Sequence, residues 1–463
     1  MPSGQARGTY TRSRAGQPRS IPMAAFDQAT SAASTPRQFK PYPNPPAAER
    51  VRAVIMADER GEMQVLAPES GLLDVAAVRQ ATGRALRAHP YQVAEPTSAV
   101  PGVYGLPVLV EESLVTAGKL ALASFEPGSF LQARGTDLLD PELAMTSGRF
   151  TQSIGTEPTP EDRADDLDRI GVTLSRFTAE RLQARLDQTL HIPPLPEAAR
   201  RIIELQNNPN FDLADLVRII ETDPSIAARI MGWANSAFYS PNPPAATIDD
   251  AVMRILGFDT VMSMALGMAL GQTLRMPEHH VRGLPTFWLE AVFTAAAMES
   301  LARHMPRPER PSSGLCYLTG LLANFGTLVV GHVFPHQYAS ICSLQEANRH
   351  LPHTYIDQYV LQMPREVLTS ALLECWSLPE AVTDAIRFQY IPDYRGANAS
   401  YARLLRLTRQ LLGTQGLTDQ PPELPDAEEV AALGLTQEAL SEVLKQLNES
   451  STQLDDLAGN LSR

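Results

Sequence analysis

Two helix starts and one helix stop are written into residues 209–239, PNFDLADLVRIIETDPSIAARIMGWANSAFY, and no other stretch constrains the fold as tightly. Asp212 follows a proline-containing turn and stands where an N-cap belongs, its carboxylate able to accept the free N–H groups of a first turn. Leu213, Leu216, Val217 and Ile220 then recur on one face of a 3.6-residue period. Thr222-Asp223-Pro224 stops that helix and starts another, because proline suits a first helical turn and disfavours the helical region for the residue before it. The second helix carries Ile226, Ala227, Ile230, Met231 and Ala234 toward a core and ends at the polar pair Asn235-Ser236. A tight helix pair is expected. Asn235 is expected to end its helix in the left-handed conformation and, with Ser236, to tie that end to the Phe238-Tyr239 turn.

The same residues carry a family resemblance. Leu195-Pro196, Asp223-Pro224, Ala228-Arg229-Ile230, Ala234-Asn235-Ser236, Phe238-Tyr239, Thr247-Ile248, Ala251 and Leu256-Gly257 together resemble the hallmark pattern of HDOD domains, the HD-related output domains of bacterial signalling proteins. Asp223, Pro224, Asn235 and Ser236 are the hallmark positions. The alternative is a generic helical bundle, since each element of the pattern is common by itself.

At 463 residues the chain exceeds one core of ordinary size, so two or three domains are expected, and 44% apolar content is enough to fill them. The net charge of −13 is uneven: residues 1–50 sum to +5 and the remainder to −18. An acidic body lacks the positive footprint of a general nucleic-acid binder. Cys316, Cys342 and Cys375 are sparse and unpaired in spacing, which suits a reducing compartment and core packing. The basic N-terminus has no apolar signal segment. The apolar runs Val261–Gly271 and Tyr317–Phe334 read as buried helices; the first is too short to span a bilayer, and the second contains Asn324, Gly326, Thr327 and His332. A cytoplasmic protein with no membrane span is expected.

Residues 1–48, rich in Pro, Ser, Arg, Ala and Gly, read as a disordered basic leader, either a plain solvated tail or a tether to RNA or membrane lipid. Beyond them, Val51–Met56 and Met63–Leu66 flank a turn at Gly61 as a hairpin, Asp74 to Ala88 reads as a helix capped by Asp74, and Val103–Glu111 and Leu120–Phe125 read as strands. This makes residues 49–156 an α+β domain. Its strand order, the segment GVYGLPVLVEESL at 102–114 and Pro127-Gly128-Ser129 resemble the YbaK/ProX-like domains, which deacylate mischarged aminoacyl-tRNA. The resemblance implies a ligand site at Arg52, Gly102, Gly105, Pro107, Gly128 and Ser129 that could take a tRNA or aminoacyl ligand weakly. Where that family has a lysine on the first strand, Arg52 stands here, and a planar, permanently charged fork is a poor substitute. No catalytic residue is therefore assigned.

Residues 157–190 read as a connecting helix with Asp165-Asp166 and Asp168 on a solvated face. Residues 191–400 are the HDOD domain, and 401–463 a helical tail. The expected fold class is thus multidomain, an α+β YbaK-like domain followed by an all-α HDOD domain.

Relatives in the HD superfamily bind a divalent metal through histidines, a His-Asp pair and a further aspartate. The resemblance places Ala323-Asn324 at that pair, Glu290 where many relatives have histidine, and Arg387-Phe388-Gln389-Tyr390 downstream without an imidazole. His279-His280 are adjacent and do not face one site. His332 and His336 are interrupted by Pro335. No metal and no cofactor are expected. The reading is a non-catalytic signalling protein with protein partners; its rival is an aminoacyl-tRNA deacylase carrying an accessory helical domain.

Overall fold

A computed structural model describes residues 39–89, 106–123, 129–138, 145–154, 165–166, 168–173, 195–206, 212–236, 238–239, 242–271, 273–274, 276–392, 394–420 and 424–461. The chain divides into two compact units, Met1–Ser153 and Ile154–Arg463.

In the first unit, Arg50–Asp58 (β2) and Gly61–Pro68 (β3) form the hairpin expected from the alternation, with Asp58 opposite Gly61. Gly61 has φ +115°, a conformation that a side chain would strain. Around the hairpin, Lys40–Pro41 (β1), Val108–Glu111 (β6), Leu120–Ala123 (β7), Phe130–Ala133 (β8) and Met145–Gly148 (β9) complete a sheet in the order β1-β8-β7-β2-β3-β6-β9, with Arg87–Ala88 (β5) paired to β2 off this path, and Gly71–Leu73 (β4) pairs with Thr151–Ser153 (β10) in a second sheet. Pairing is parallel for β2–β7, β3–β6 and β6–β9, so the sheet is mixed. Val51, Leu66, Val108, Val110 and Leu122 fill its core.

Four readings change here. Lys40–Pro41 pairs with β8, and Tyr42 donates its N–H to the Phe130 carbonyl, so residues 40–48 belong to the fold and not to a leader. The helix capped by Asp74 spans only Val75–Thr82, because Gly83 adopts φ 61° and closes it; Arg87–Ala88 then pairs with β2 as a short strand. The strand expected at 103–111 is Val108–Glu111, with residues 101–105 outside the described set. Phe130–Ala133, Met145–Gly148, Gly71–Leu73 and Thr151–Ser153 carried no legible alternation and are strands because the sheet supplies partners.

The second unit is helical. Asp212 forms a full capping box with Asp215 at the start of Leu213–Glu221, and Asp223 accepts the Ser225 and Ile226 N–H groups at 2.9 and 3.2 Å ahead of Pro224–Ala234. Asn235 differs from expectation. Its φ of −92° and ψ of 7° are not left-handed, and its side chain reaches Ala245, accepting that residue's N–H at 2.7 Å and donating to its carbonyl at 3.0 Å. Arg254 donates to the Pro243 and Pro244 carbonyls at 2.8 and 3.0 Å, so the same loop is pinned from two sides. Ser236 is buried, and its hydroxyl has no hydrogen-bond partner among the described residues.

Phe258–Gly271, Phe287–His304, Ser313–Leu322 and Phe325–Val333 form the centre of the bundle. The stretch Ser313–Val333 is apolar and long enough to cross a membrane, yet 83% of its most apolar window is buried by its neighbours and Ala323-Asn324 breaks it into two helices. A Cβ on Gly320 would lie 2.6 Å from the Ala295 Cα, so glycine is what lets Ser313–Leu322 press against Phe287–His304. The expected tail packs back: Gln437–Glu449 and Ser451–Leu461 both lie on Phe287–His304. Cys316 and Cys342 are buried, whereas Cys375 is exposed, because the end of its helix turns it outward while Trp376 fills the core.

Two substitutions test this packing. Gly320→Ala should lower stability by about 1–3 kcal/mol, since backbone and not a movable side chain opposes the new methyl. Asn235→Ala should cost about 1–2 kcal/mol by orphaning both backbone groups of Ala245. Urea unfolding of each variant reads both values, and an unchanged midpoint in either would refute the corresponding packing role.

Candidate functional site

A ring of polar side chains occupies the middle of the helical unit, where apolar helices would otherwise close on one another. Phe287–His304 delivers Glu290, and the break after Leu322 delivers Asn324. Thr327 donates to Asn324 Oδ1 at 2.6 Å, and Asn324 Nδ2 donates to Glu290 Oε2 at 2.7 Å. Arg409, from Ala399–Gly413, stands 2.9 Å from Glu290 Oε1 as an ion pair without hydrogen-bond alignment, and donates to Asp419 Oδ1 at 2.8 Å. His353 bridges Asp419 at 2.6 Å through Nδ1 and Glu366 at 2.8 Å through Nε2. Next to Glu366, Arg365 grips Asp357 with a fork at 2.6 and 2.8 Å and donates to Thr327 at 3.2 Å, which returns the ring to its start. Gly326 makes room for that arginine: a Cβ there would lie 2.7 Å from Arg365 Cγ.

The electrostatics follow from burial and pairing. Burial opposes charge on His353, but Glu366 and Asp419 outweigh it and hold the imidazole protonated up to about 10. Burial pushes the Glu290 carboxyl up to about 7, against the pull of Arg409. Asp419 and Glu366 also lose solvation on burial, yet His353 in both cases, joined by Arg409 at Asp419, draws them below the ordinary carboxylate range. The cations Arg409, Arg365 and His353 thus face Asp419, Glu366 and Asp357, and the ring is neutral when Glu290 carries its proton. Tyr390 covers it, with its ring 5.0 Å from His353 in edge contact.

His353, Asp357 and Glu366 bring one ligand atom each within 4.8 Å of one another. A divalent ion does not fit their chemistry as arranged. Both imidazole nitrogens already serve carboxylates, and the Arg365 fork holds Asp357. At Glu290 and Asn324, Arg409 supplies the positive charge. Ala323 contributes only its carbonyl, which accepts from Gln389 at 3.3 Å.

Asp166 is a correction. It is buried and accepts from Arg387 at 2.7 and 2.8 Å, so the acidic run at 165–168 does not form a solvated face throughout. In the first unit, Arg52 donates to the Gly71 carbonyl at 3.3 Å; burial lowers its pKa to about 10, partly offset by Glu69, so it remains a cation at neutral pH. The Pro107 carbonyl accepts the Gln64 N–H at 2.9 Å, and Ser129 precedes β8. Gly102, Gly105 and Gly128 lie outside the described residues. Lys40 lies in the edge strand β1, and Lys119 sits over the Tyr42 ring and pairs with Glu49.

The second unit is thus an all-helical bundle built round a buried ring of paired charges. Residues 192–392 match the HDOD domain family. A protein of Marinobacter aquaeolei VT8, ascribed a role in signal transduction and solved by crystallography, is 32% identical, overlapping 92% of this chain and 96% of that one with a TM-score of 0.79. The chain therefore belongs to the HDOD-domain family. An uncharacterised protein of Treponema pallidum strain Nichols is 26% identical over 204 residues, 44% of this chain, and the match spans only 38% of that protein's length. A structure ascribed a trans-editing role for prolyl-tRNA synthetase overlaps 23% of this chain and 73% of that one, with 22% identity and a TM-score of 0.21, too little to assign a fold.

Most of the ring escaped sequence reasoning, which singled out only Glu290 and Asn324. His353 and Asp357 share one helix, Arg365 and Glu366 begin the next, and Asp419 lies beyond Ala399–Gly413, and no sequence motif links the three segments. Arg409 did leave a trace, lying four residues after Leu405 and three before Leu412 on an otherwise apolar stripe.

The ring sets a pH dependence. Both Glu290 and His353 hold a proton more tightly when folded, so each favours folding below its ordinary pKa of 4.5 or 6.5 and loses that contribution as pH rises to about 7 or about 10. Stability should fall from pH 5 to pH 10 by on the order of a few kcal/mol. His353→Gln should flatten the limb above pH 7 in a series of thermal melts. A limb of unchanged slope in that variant would refute the assignment.

Proposed function

We propose that the chain is a non-catalytic regulatory protein of bacterial signal transduction, in which a degenerate HD-type output domain is coupled to a YbaK-like ligand-binding domain. The observation that carries this reading is the ring itself: the carboxylates and the imidazole that metal chemistry would need are committed to Arg409, Arg365 and each other. A paired network of this kind supplies a rigid frame for binding surfaces. On this reading residues 40–156 are the YbaK-like domain, 157–190 the connector, and 191–400 the output domain, with the helices of 401–463 packed into the same helical unit. Asp223, Pro224 and Asn235 act structurally, as caps and as the pin of the 242–245 loop. The protein works in the cytoplasm through protein partners, and the N-terminal domain retains at most weak affinity for a tRNA or aminoacyl ligand. The deacylase alternative gains nothing from Arg52, whose guanidinium is turned to the Gly71 carbonyl.

The purified, untagged full chain should hydrolyse neither phosphomonoesters and phosphodiesters with added Mn²⁺ or Mg²⁺ nor mischarged aminoacyl-tRNA above the buffer rate. Elemental analysis should find no stoichiometric transition metal. Phosphate release abolished by Glu290→Gln, or deacylation abolished by Arg52→Ala, would overturn the proposal.

A further inference from the structure

The connector is fastened to the helical bundle at two places, and both lie on segments that build the ring. Its described residues, 165–166 and 168–173, are helical. Asp166, Ile170 and Thr173 recur at i, i+4 and i+7 and are buried, whereas Val172, off that face, is 64% exposed. At one end of the face, Arg387 donates a fork to Asp166 at 2.7 and 2.8 Å. At the other, the Thr173 hydroxyl donates to the Leu361 carbonyl at 3.2 Å.

Each fastening leads directly to the ring. Arg387 stands in the last turn of Glu380–Phe388, and the chain leaves that helix through Gln389 and Tyr390. Gln389 donates to the Ala323 carbonyl at 3.3 Å, at the break that delivers Asn324, and Tyr390 lays its ring edge against His353 at 5.0 Å. A guanidinium held by two aligned bonds has one geometry, so the end of that helix is fixed along with it. Leu361 ends His353–Leu361, the helix that carries His353 and Asp357. The connector thus grips the ring's cover with one side chain and the ring's imidazole helix with another. Two apolar residues in place of the Asp166–Arg387 pair could match its stability, but they would not dictate a single seat.

We infer that residues 165–173 are a strap by which the connector sets the geometry of the ring. Asp166 and Thr173 are positioning residues: Asp166 acts on Tyr390 through Arg387, and Thr173 acts on His353 and Asp357 through Leu361. Coupling of this kind is reciprocal, so a seated strap holds the ring assembled and an assembled ring holds the strap seated. The inference deepens the proposed regulatory reading by naming the segment through which the output domain is governed, and it rests on that reading only for what acts on the strap.

The test is amide hydrogen exchange, read by mass spectrometry on the full chain at neutral pH. Asp166→Asn should speed exchange in residues 353–361 and 386–392 about tenfold, equivalent to about 1.4 kcal/mol of local protection, and leave Gln437–Glu449 at its wild-type rate. Glu366→Gln, a change inside the ring, should in turn speed exchange in residues 165–173. Combining Asp166→Asn with His353→Gln should add little at 386–392 beyond the larger single effect. Acceleration confined to the strap and its immediate contact at Arg387 would overturn the inference. So would acceleration spread evenly over the helical unit, or full multiplication of the two effects in the double variant. Should Asp166→Asn fail to fold, Thr173→Val puts the same question at residues 353–361, where an unchanged rate would overturn it. Hydrolysis by the wild-type chain is measured separately, so the strap can fail while the non-catalytic reading stands, and the reverse.

Discussion

The Arg365–Asp357 fork is the interaction on which the centre of the helical unit depends. Asp357 has no exposed surface, and a carboxylate taken out of water that far is tolerable only with a cation aligned on it. Arg365 meets that need with two short donors and uses a third to hold Thr327, which orients Asn324 and through it Glu290. The remaining side chains follow as a chain of obligations: Glu290 and Asp419 require Arg409, and Asp419 and Glu366 require a protonated His353. Removing one member would leave its neighbour buried and unpaired, which costs far more than the intact pair contributes.

Backbone geometry makes the fork reachable. The break at Ala323-Asn324 ends one helix and starts another, and this is where Asn324 turns toward Glu290. Gly326 then opens the path along which the Arg365 stem passes, and Gly320 lets the preceding helix approach Ala295 at backbone distance. These small residues set how close the helices come; the charged residues set which arrangement they adopt once close. An apolar replacement of the ring could match or exceed its stability. It would not specify the mutual positions of five segments as the paired charges do.

Local information was the legible part of this fold. Asp212, Asp223 and Pro224 mark helix boundaries through contacts within three or four residues, and the structure has those boundaries where the caps lie. The β2–β3 hairpin was likewise legible, because alternation and Gly61 act within one turn. Short strands such as Thr151–Ser153 were not, since their pairing with Gly71–Leu73 is decided by residues about eighty positions away and not by their own pattern. Asp166 misled for a similar reason: an aspartate in an acidic run reads as solvated until Arg387, far along the chain, is brought against it. Asn235 was placed correctly at a helix end but with the wrong partner, because the loop that presents Ala245 has no local code linking it to that side chain.

The ring shows why a metal-site template and a salt-bridge network are difficult to tell apart from composition. Both gather carboxylates and imidazole in a buried centre, and His353, Asp357 and Glu366 by themselves would pass for ligands. The distinction lies in where the compensating positive charge comes from. A metal centre leaves its donors deprotonated and imports the cation, whereas here two guanidiniums and an imidazolium are supplied by the chain and reach the carboxylates at 2.6 to 2.9 Å. A chain-borne cation cannot dissociate, exchange or activate water. It fixes geometry, holding the helices that deliver Glu290, His353, Arg365 and Arg409 in one mutual arrangement.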